Sequence, residues 1–139
     1  MDDVIFNKIA TIEKCISRVY EEYSGFEEEF LENYTKQDSV VLNIERAAQA
    51  SIDIATHIVR VKKLGLPQSS REVFILLNEH KVITKKTSEN MQKMVGFRNI
   101  AVHNYQKLNL DIVCHIIQVK LDDFKKFNAE LLQSSKRQV

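Results

Sequence analysis

One proline and three glycines are all that interrupt 139 residues. A chain so poor in breakers has little material for the many tight turns of an all-β fold. What it repeats is the helical period. Ile5, Ile9, Ile12, Ile16, Val19 and Tyr23 alternate spacings of four and three, a single stripe along one helix face. This predicts a first helix over about 2–24, ended by Ser24-Gly25. Phe26, Phe30 and Leu31 are the apolar contacts expected of a short acidic helical piece over 26–34. Thr35-Lys36-Gln37-Asp38 resembles a capping box, with Asp in place of Glu or Gln. It predicts a second long helix over about 36–64, with Val41, Ile44, Ala48, Ile52, Ala55 and Val59 inward. A second, polar line on that helix is Glu45, Gln49, Asp53, His57, each four residues from the last. Lys62-Lys63-Leu64-Gly65 followed by Pro67 is helix-stop chemistry.

Ser69-Ser70-Arg71-Glu72 is a capping box for a short helix through Phe74 and Leu77 to about His80. Lys81 to Lys86 reads as a connector, and a further helix runs over about 87–103. Asn109 can cap the last helix, whose core face is Leu110, Val113, Ile117, Leu121, Phe124, Phe127 and Leu131. The segment 134–139 is expected as a frayed polar tail. The sum is an all-α chain: one domain over 1–139, an antiparallel four-helix bundle with one or two short extra helices.

Charge narrows the function classes. The formal net charge is +1, so any contact with nucleic acid must rest on a local patch. Cys15 and Cys114 lie far apart beside apolar neighbours and read as small buried thiols, with neither disulfide nor metal spacing. Met1-Asp2-Asp3 leads directly into an amphipathic pattern and does not read as a signal peptide; no apolar run is long enough for a bilayer. A cytoplasmic location and no membrane partner are expected.

The residues that carry chemistry are in Met94-Val95-Gly96-Phe97-Arg98-Asn99-Ile100-Ala101-Val102-His103-Asn104-Tyr105. Met91, Met94, Val102 and Tyr105 recur at helical spacing, with Arg98 in the middle of that stripe, where burial is costly unless an anion meets it. Arg98 and His103 are separated by roughly 140° and about 7.5 Å on a helix. Arg98 nearly aligns with Tyr105, and Asn99 with His103. Histidine moves protons near neutral pH, and arginine forks onto phosphate. No carboxylate pair, metal-ligand cluster or activated serine or cysteine stands beside them, so no cofactor and no metal are expected. An Arg and a His without a metal suit RNA cleavage by its own 2′-hydroxyl, leaving a 2′,3′-cyclic phosphate. From periodicity alone, the same pair also reads as surface or capping residues at a helix end.

Arg98-Asn99-x-x-x-His103-x-Tyr105 resembles the R-x4-H-x-Y signature of HEPN-domain ribonucleases, specifically the HepT toxins of the MNT–HEPN toxin–antitoxin systems. Gln49-x-x-x-Asp53-Ile54-Ala55-x-His57-Ile58 resembles that family's earlier long helix. The likeness covers nearly the whole chain and implies the HEPN fold. It also implies a metal-independent endoribonuclease toxin of a type VII-like pair, with Arg98 and His103 catalytic and Asn99 supporting. It implies a homodimer with two motifs facing across one cleft, and an antitoxin, an MNT-type nucleotidyltransferase, that transfers AMP to Tyr105. Two histidines in one cleft would let one act as base and the other as acid. AMP on Tyr105 would block the cleft and pair with Arg98; the plainer reading of Tyr105 is a buried ring with a hydrogen-bonded hydroxyl.

Asp53 either orients Arg98 from behind or is an exposed partner of His57, and Gln49 shares that ambiguity. His57, His80 and His115 show no ligand spacing. Lys85, Lys86, Lys93 and Lys107 either form a basic rim for RNA or a solvated face. Two further readings stand beside cleavage. One is a non-catalytic helical substrate-binding or partner subunit of a nucleotidyltransferase, the other a purely structural dimerisation bundle.

Overall fold

The structure is a computed structural model that describes residues 3–136, with the side chain of Lys107 left aside. Its helices are α1 (Asp3–Tyr23), α2 (Glu27–Phe30), α3 (Tyr34–Val61), α4 (Ser70–Glu79) and α5 (Lys85–His103). A 3-10 turn (Tyr105–Lys107) leads to α6 (Leu110–His115), a π-helical segment (Ile116–Lys120) and α7 (Leu121–Lys136). No strand occurs among the described residues.

Side-chain ties set the direction of each neighbour. Lys8 meets Asp53 and Lys36 meets Glu22, so α1 and α3 are antiparallel. Arg98 meets Gln49 and Tyr105 meets Asp38, so α3 and α5 are antiparallel. Asn90 meets Asp123 and Thr87 meets Glu130, so α5 and α7 are antiparallel. The four long rods thus form the expected up-and-down bundle, with α4 packed on α3 and α5. The α1 stripe is buried from Ile9 to Tyr23, while Ile5 is only partly covered. Phe74 of α4 and Phe127 of α7 meet edge to face at 5.6 Å, which locks the short helix onto the bundle.

Several boundaries differ from the sequence expectation, each for a local reason. Asn33 caps α3, accepting from the Lys36 amide at 3.0 Å, so the Thr35 box is not used. Of the three apolar residues near α2, only Phe30 is buried; Phe26 and Leu31 are exposed. Ser69 does cap α4 through the Glu72 amide at 3.3 Å. Thr84 caps α5, which begins at Lys85, two residues before the expected start, and Glu130 takes the Thr84 amide at 2.7 Å. The left-handed residue ending α3 is Lys63 (φ 55°), two places ahead of Gly65. Leu64 N–H donates to Val59 and Lys63 N–H to Arg60, a Schellman closure. Lys81 (φ 61°) ends α4 in the same way, with Val82 and Lys81 donating to Leu77 and Asn78.

The last rod is interrupted by the π segment, which widens one turn between Val113 and Leu121. The expected core face is kept, except that Leu110 is only partly buried. Beyond it α7 continues to Lys136 with Ser134 buried, where the sequence suggests a polar tail; residues 137–139 lie outside the described residues. Cys15 is buried and Cys114 half-buried, both as free thiols. No described helix is long and apolar enough to cross a membrane.

Candidate active site

The site forms where the second half of α5 lies along α3. The inward residues of α5 here are Met94, Val95, Phe97 and Ala101. Val102 and Tyr105, expected on a buried stripe, are 48% and 45% exposed. Arg98 therefore stands at the edge of the buried stripe, half-covered, and not within it.

What meets Arg98 is a neutral amide of its own chain. Gln49 Oε1 accepts from Arg98 Nε at 3.0 Å and from Nη2 at 2.6 Å. Asn99 Oδ1 accepts from Nη1 at 2.6 Å. Each Nη nitrogen keeps one N–H without a partner among the described residues. The guanidinium is thus held on two sides by uncharged acceptors, and its charge stays available to an outside anion.

The Gln49 amide is itself oriented. Its Nε2 donates to Asp53 Oδ1 at 2.9 Å, which turns Oε1 towards Arg98. Asp53 Oδ2 pairs with Lys8 at 3.3 Å, both side chains 40% exposed. Asp53 therefore reaches Arg98 by hydrogen bonds only through Gln49, and its other oxygen pairs with Lys8. Of the two readings open for Gln49, the structure selects the one in which it orients Arg98, and it makes that contact directly; Lys8 is not legible in the motif.

His103 is the last residue of α5 and is exposed, with no side-chain hydrogen bond among the described residues. One turn earlier on the same line is Asn99, whose Oδ1 is committed to Arg98. Asn99 thus links the arginine to the histidine line, as the helix geometry suggests.

Tyr105 does not continue the Arg98 line. The helix stops at His103, Asn104 takes φ −155° and ψ 56°, and Tyr105 opens a 3-10 turn. Its hydroxyl donates to Asp38 Oδ1 near the start of α3. Burial, then the hydrogen bond and charge of Asp38, push the phenol up to about 12. Asp38 lies eleven residues before Gln49, about 16 Å along α3. The tyrosine hydroxyl and the guanidinium therefore sit at different levels of the bundle.

The other candidates separate. Lys85 and Lys86 are in the first turn of α5, about 18 Å or more from the Arg98 level. Lys93 faces another side of α5, and the Lys107 side chain lies outside the described residues. His57 neighbours Arg60 at 3.3 Å, and His80 and His115 are exposed. Among the described residues no group of His, Cys, Asp and Glu is placed to hold a metal ion.

A helical bundle that carries a fixed arginine fork and, five residues on, an uncommitted histidine has the groups for phosphate binding and proton transfer. The family model described as HepT-like, "Ribonuclease HepT-like", matches residues 12–131, and the chain belongs to that family. An mRNA nuclease HepT from Shewanella oneidensis is 54% identical over 127 residues, 91% of this chain and 95% of that one. A tRNA nuclease HepT from Aphanizomenon flos-aquae is 28% identical over 120 residues, 84% of this chain and 82% of that one. Among solved structures, a tri-AMPylated Shewanella oneidensis HEPN toxin in complex with MNT antitoxin superposes with a TM-score of 0.91. It is 51% identical, with 96% of this chain and 99% of that one covered. YutE from Bacillus subtilis shares the fold at a TM-score of 0.82 and 12% identity.

Proposed function

We propose that this chain is the ribonuclease toxin of a toxin–antitoxin pair, cutting RNA without a metal through 2′-hydroxyl attack. The observation that carries the reading is the clamped guanidinium of Arg98: neutral acceptors fix it, and two donors remain for a phosphate. His103, exposed and uncommitted, removes the 2′-hydroxyl proton. The oxygen attacks the adjacent phosphorus, Arg98 stabilises the charge that gathers there, and the 5′-oxygen leaves with a proton given by the protonated His103 of a second copy. The products are a 2′,3′-cyclic phosphate and a free 5′-hydroxyl. Asn99 positions Arg98, and Asp53 does so through Gln49. The likeness to the Shewanella mRNA nuclease supports RNA as substrate.

The same reading includes a homodimer. Leu42 on α3 and Val102 on α5 are 41% and 48% exposed at the level between Arg98 and Tyr105, an apolar surface around the motif that a second copy would cover. An MNT-type nucleotidyltransferase is the proposed antitoxin, with Tyr105 accepting AMP; the AMPylated, antitoxin-bound relative supports this. AMP on Tyr105 would end the hydroxyl's bond to Asp38 and bring bulk and negative charge to the motif, where it blocks phosphate and pairs with Arg98.

The test uses purified protein free of AMP, RNA, and EDTA. Wild type should cut and leave cyclic phosphate ends, and Arg98→Ala and His103→Ala should not. Folded, unmodified wild type that leaves RNA intact would transfer the chain to the non-catalytic partner reading.

A further inference from the structure

The Tyr105 hydroxyl has a partner that the RNA chemistry does not use. Asn104 turns the chain out of α5, and Tyr105 opens the 3-10 turn beside the start of α3. There its hydroxyl donates to Asp38 Oδ1. Asp38 is exposed and forms no ion pair among the described residues. Nor does it cap α3, since Asn33 does. The phenol is thus the one side chain among the described residues that this carboxylate meets.

The other tyrosines differ. Tyr23 is buried, and its hydroxyl accepts from Gln118 at 2.7 Å. Tyr20 has the Lys125 ammonium 5.4 Å over its ring. Tyr34 is 80% exposed and stands one helical turn before Asp38, yet its hydroxyl has no hydrogen bond among the described residues. Of the four, Tyr105 alone sets its hydroxyl on a carboxylate, and its ring stays half-exposed.

A phenol that attacks phosphorus must lose its proton. Burial, then the hydrogen bond and charge of Asp38, push the Tyr105 phenol up to about 12. At neutral pH only about one hydroxyl in 10⁵ is then ionised. Attack therefore starts from the neutral phenol and needs a base already in contact with it. In phosphoryl transfer to hydroxyl groups a carboxylate can fill this place, accepting the proton as the new O–P bond forms.

We propose that Asp38 is the general base for AMP transfer to Tyr105, so that this chain carries part of the active site for its own modification. The inference rests on Tyr105 being the AMP acceptor, as read above. The phenol oxygen bonds to the α-phosphorus of ATP held by the nucleotidyltransferase. The bond from that phosphorus to the oxygen bridging to the β-phosphate breaks, and pyrophosphate leaves. The phenol proton passes to Asp38 Oδ1 and then to solvent. The product is a diester with a negative charge where the hydroxyl had donated. It has no proton to give Asp38, and the carboxylate repels it. The step that modifies Tyr105 therefore also releases it from its anchor. The same requirement excludes Tyr34, which is more exposed but has no base on its hydroxyl.

The test reacts the full chain with the MNT-type nucleotidyltransferase paired with it, ATP and Mg²⁺, and follows AMP by mass spectrometry in single turnover. Wild type should take AMP on Tyr105, and Tyr105→Phe should take none on Tyr34 or elsewhere. Asp38→Asn keeps an acceptor oxygen for the hydroxyl and removes the base. Asp38 is exposed, so folding of the variant is not at stake, and an unchanged Tm checks this. Its maximal rate at pH 7 should fall about a hundredfold, with half-saturation by the transferase unchanged. The ratio of wild-type to variant rate should shrink about tenfold per unit between pH 7 and 9, as solvent ionises the variant's phenol. A wild-type rate from Asp38→Asn would assign the proton to a base on the transferase. A loss that stays constant with pH, or lies in half-saturation alone, would reduce Asp38 to an anchor. Either result overturns this assignment and leaves Tyr105 as the acceptor. No AMP on wild-type Tyr105 would overturn the acceptor reading and this assignment with it.

Discussion

Gln49 offers the sharpest test of how the arginine is held, because it lies outside the R-x4-H-x-Y signature and yet meets Arg98 directly. Gln49→Leu keeps the size of the side chain and removes the acceptor of two Arg98 bonds, at 3.0 and 2.6 Å. Hydrogen bonds to a charged group contribute about 1.5–3 kcal/mol each. The two share one oxygen, and the half-buried guanidinium can recruit water, so the effects do not add. A net loss of about 1.4–2.3 kcal/mol in the transition state is the reasonable range. At about 1.4 kcal/mol per factor of ten, kcat/KM should fall about ten- to fifty-fold. Gln49→Glu should do worse, about a hundredfold. It sets a carboxylate against Asp53 and neutralises the charge that Arg98 keeps for phosphate. The assay is single-turnover cleavage of a labelled RNA, with Arg98→Ala and the Gln49→Leu/Arg98→Ala double variant beside it. If Gln49 acts through Arg98, its loss should have no further effect once Arg98 is gone. Wild-type cleavage by both Gln49 variants, or additive losses in the double variant, would refute the clamp.

Asp53→Asn, one step further back, should lower kcat/KM less than Gln49→Leu does, and the same assay ranks them. For Tyr105, the folded phenol is raised from 10.0 to about 12, so the unfolded chain loses this proton first as pH rises. The stabilisation is complete below about pH 10 and is lost towards pH 12, where the folded group also ionises. Urea unfolding across that window should show a steeper loss for wild type than for Tyr105→Phe, and absorbance titration should place the Asp38→Asn phenol lower. Lys81→Gly relieves a left-handed lysine (φ 61°) and should raise stability by about 1 kcal/mol, read as a Tm increase of about 3 °C. In mixed dimers with one His103→Ala subunit, divided acid and base roles require far less than half of wild-type activity. A simple halving would assign each histidine an independent site.

The bundle was legible because its long stripes are periodic over many turns, and burial of those stripes fixes which faces meet. Its joints were not. Gly65 carries the stop signal of α3, yet Lys63 takes the left-handed conformation, because the Schellman closure is set by where Leu64 can pack back. Thr84 looked like connector, since its value as a cap depends on Glu130 reaching across from α7. The π segment keeps the spacings of an ordinary helix in sequence, so only packing on both sides shows that a turn has widened.

The site divides along the same line. Arg98, Asn99 and His103 are placed by one helix, so their mutual geometry follows from 100° per residue and needed no fold. Gln49 was open as an orienting partner from its place on the α3 polar line, but only the register of α3 and α5 sets it on Arg98, and Lys8 and Asp38 join through the same registers with no local pattern to mark them. Asp38 is the instructive case, since its position near a helix start suggested capping alone. Its tie to Tyr105 exists because α5 ends at His103 and Asn104 redirects the chain. A helix continued by two residues would have put Tyr105 on the same face as Arg98, about 10.5 Å further along it. The break turns the hydroxyl towards Asp38 near the start of α3, so the residue proposed to grip phosphate and the residue proposed to be modified are held by different partners. His103 is the last helical residue before that break, and its side chain makes no hydrogen bond among the described residues to either end.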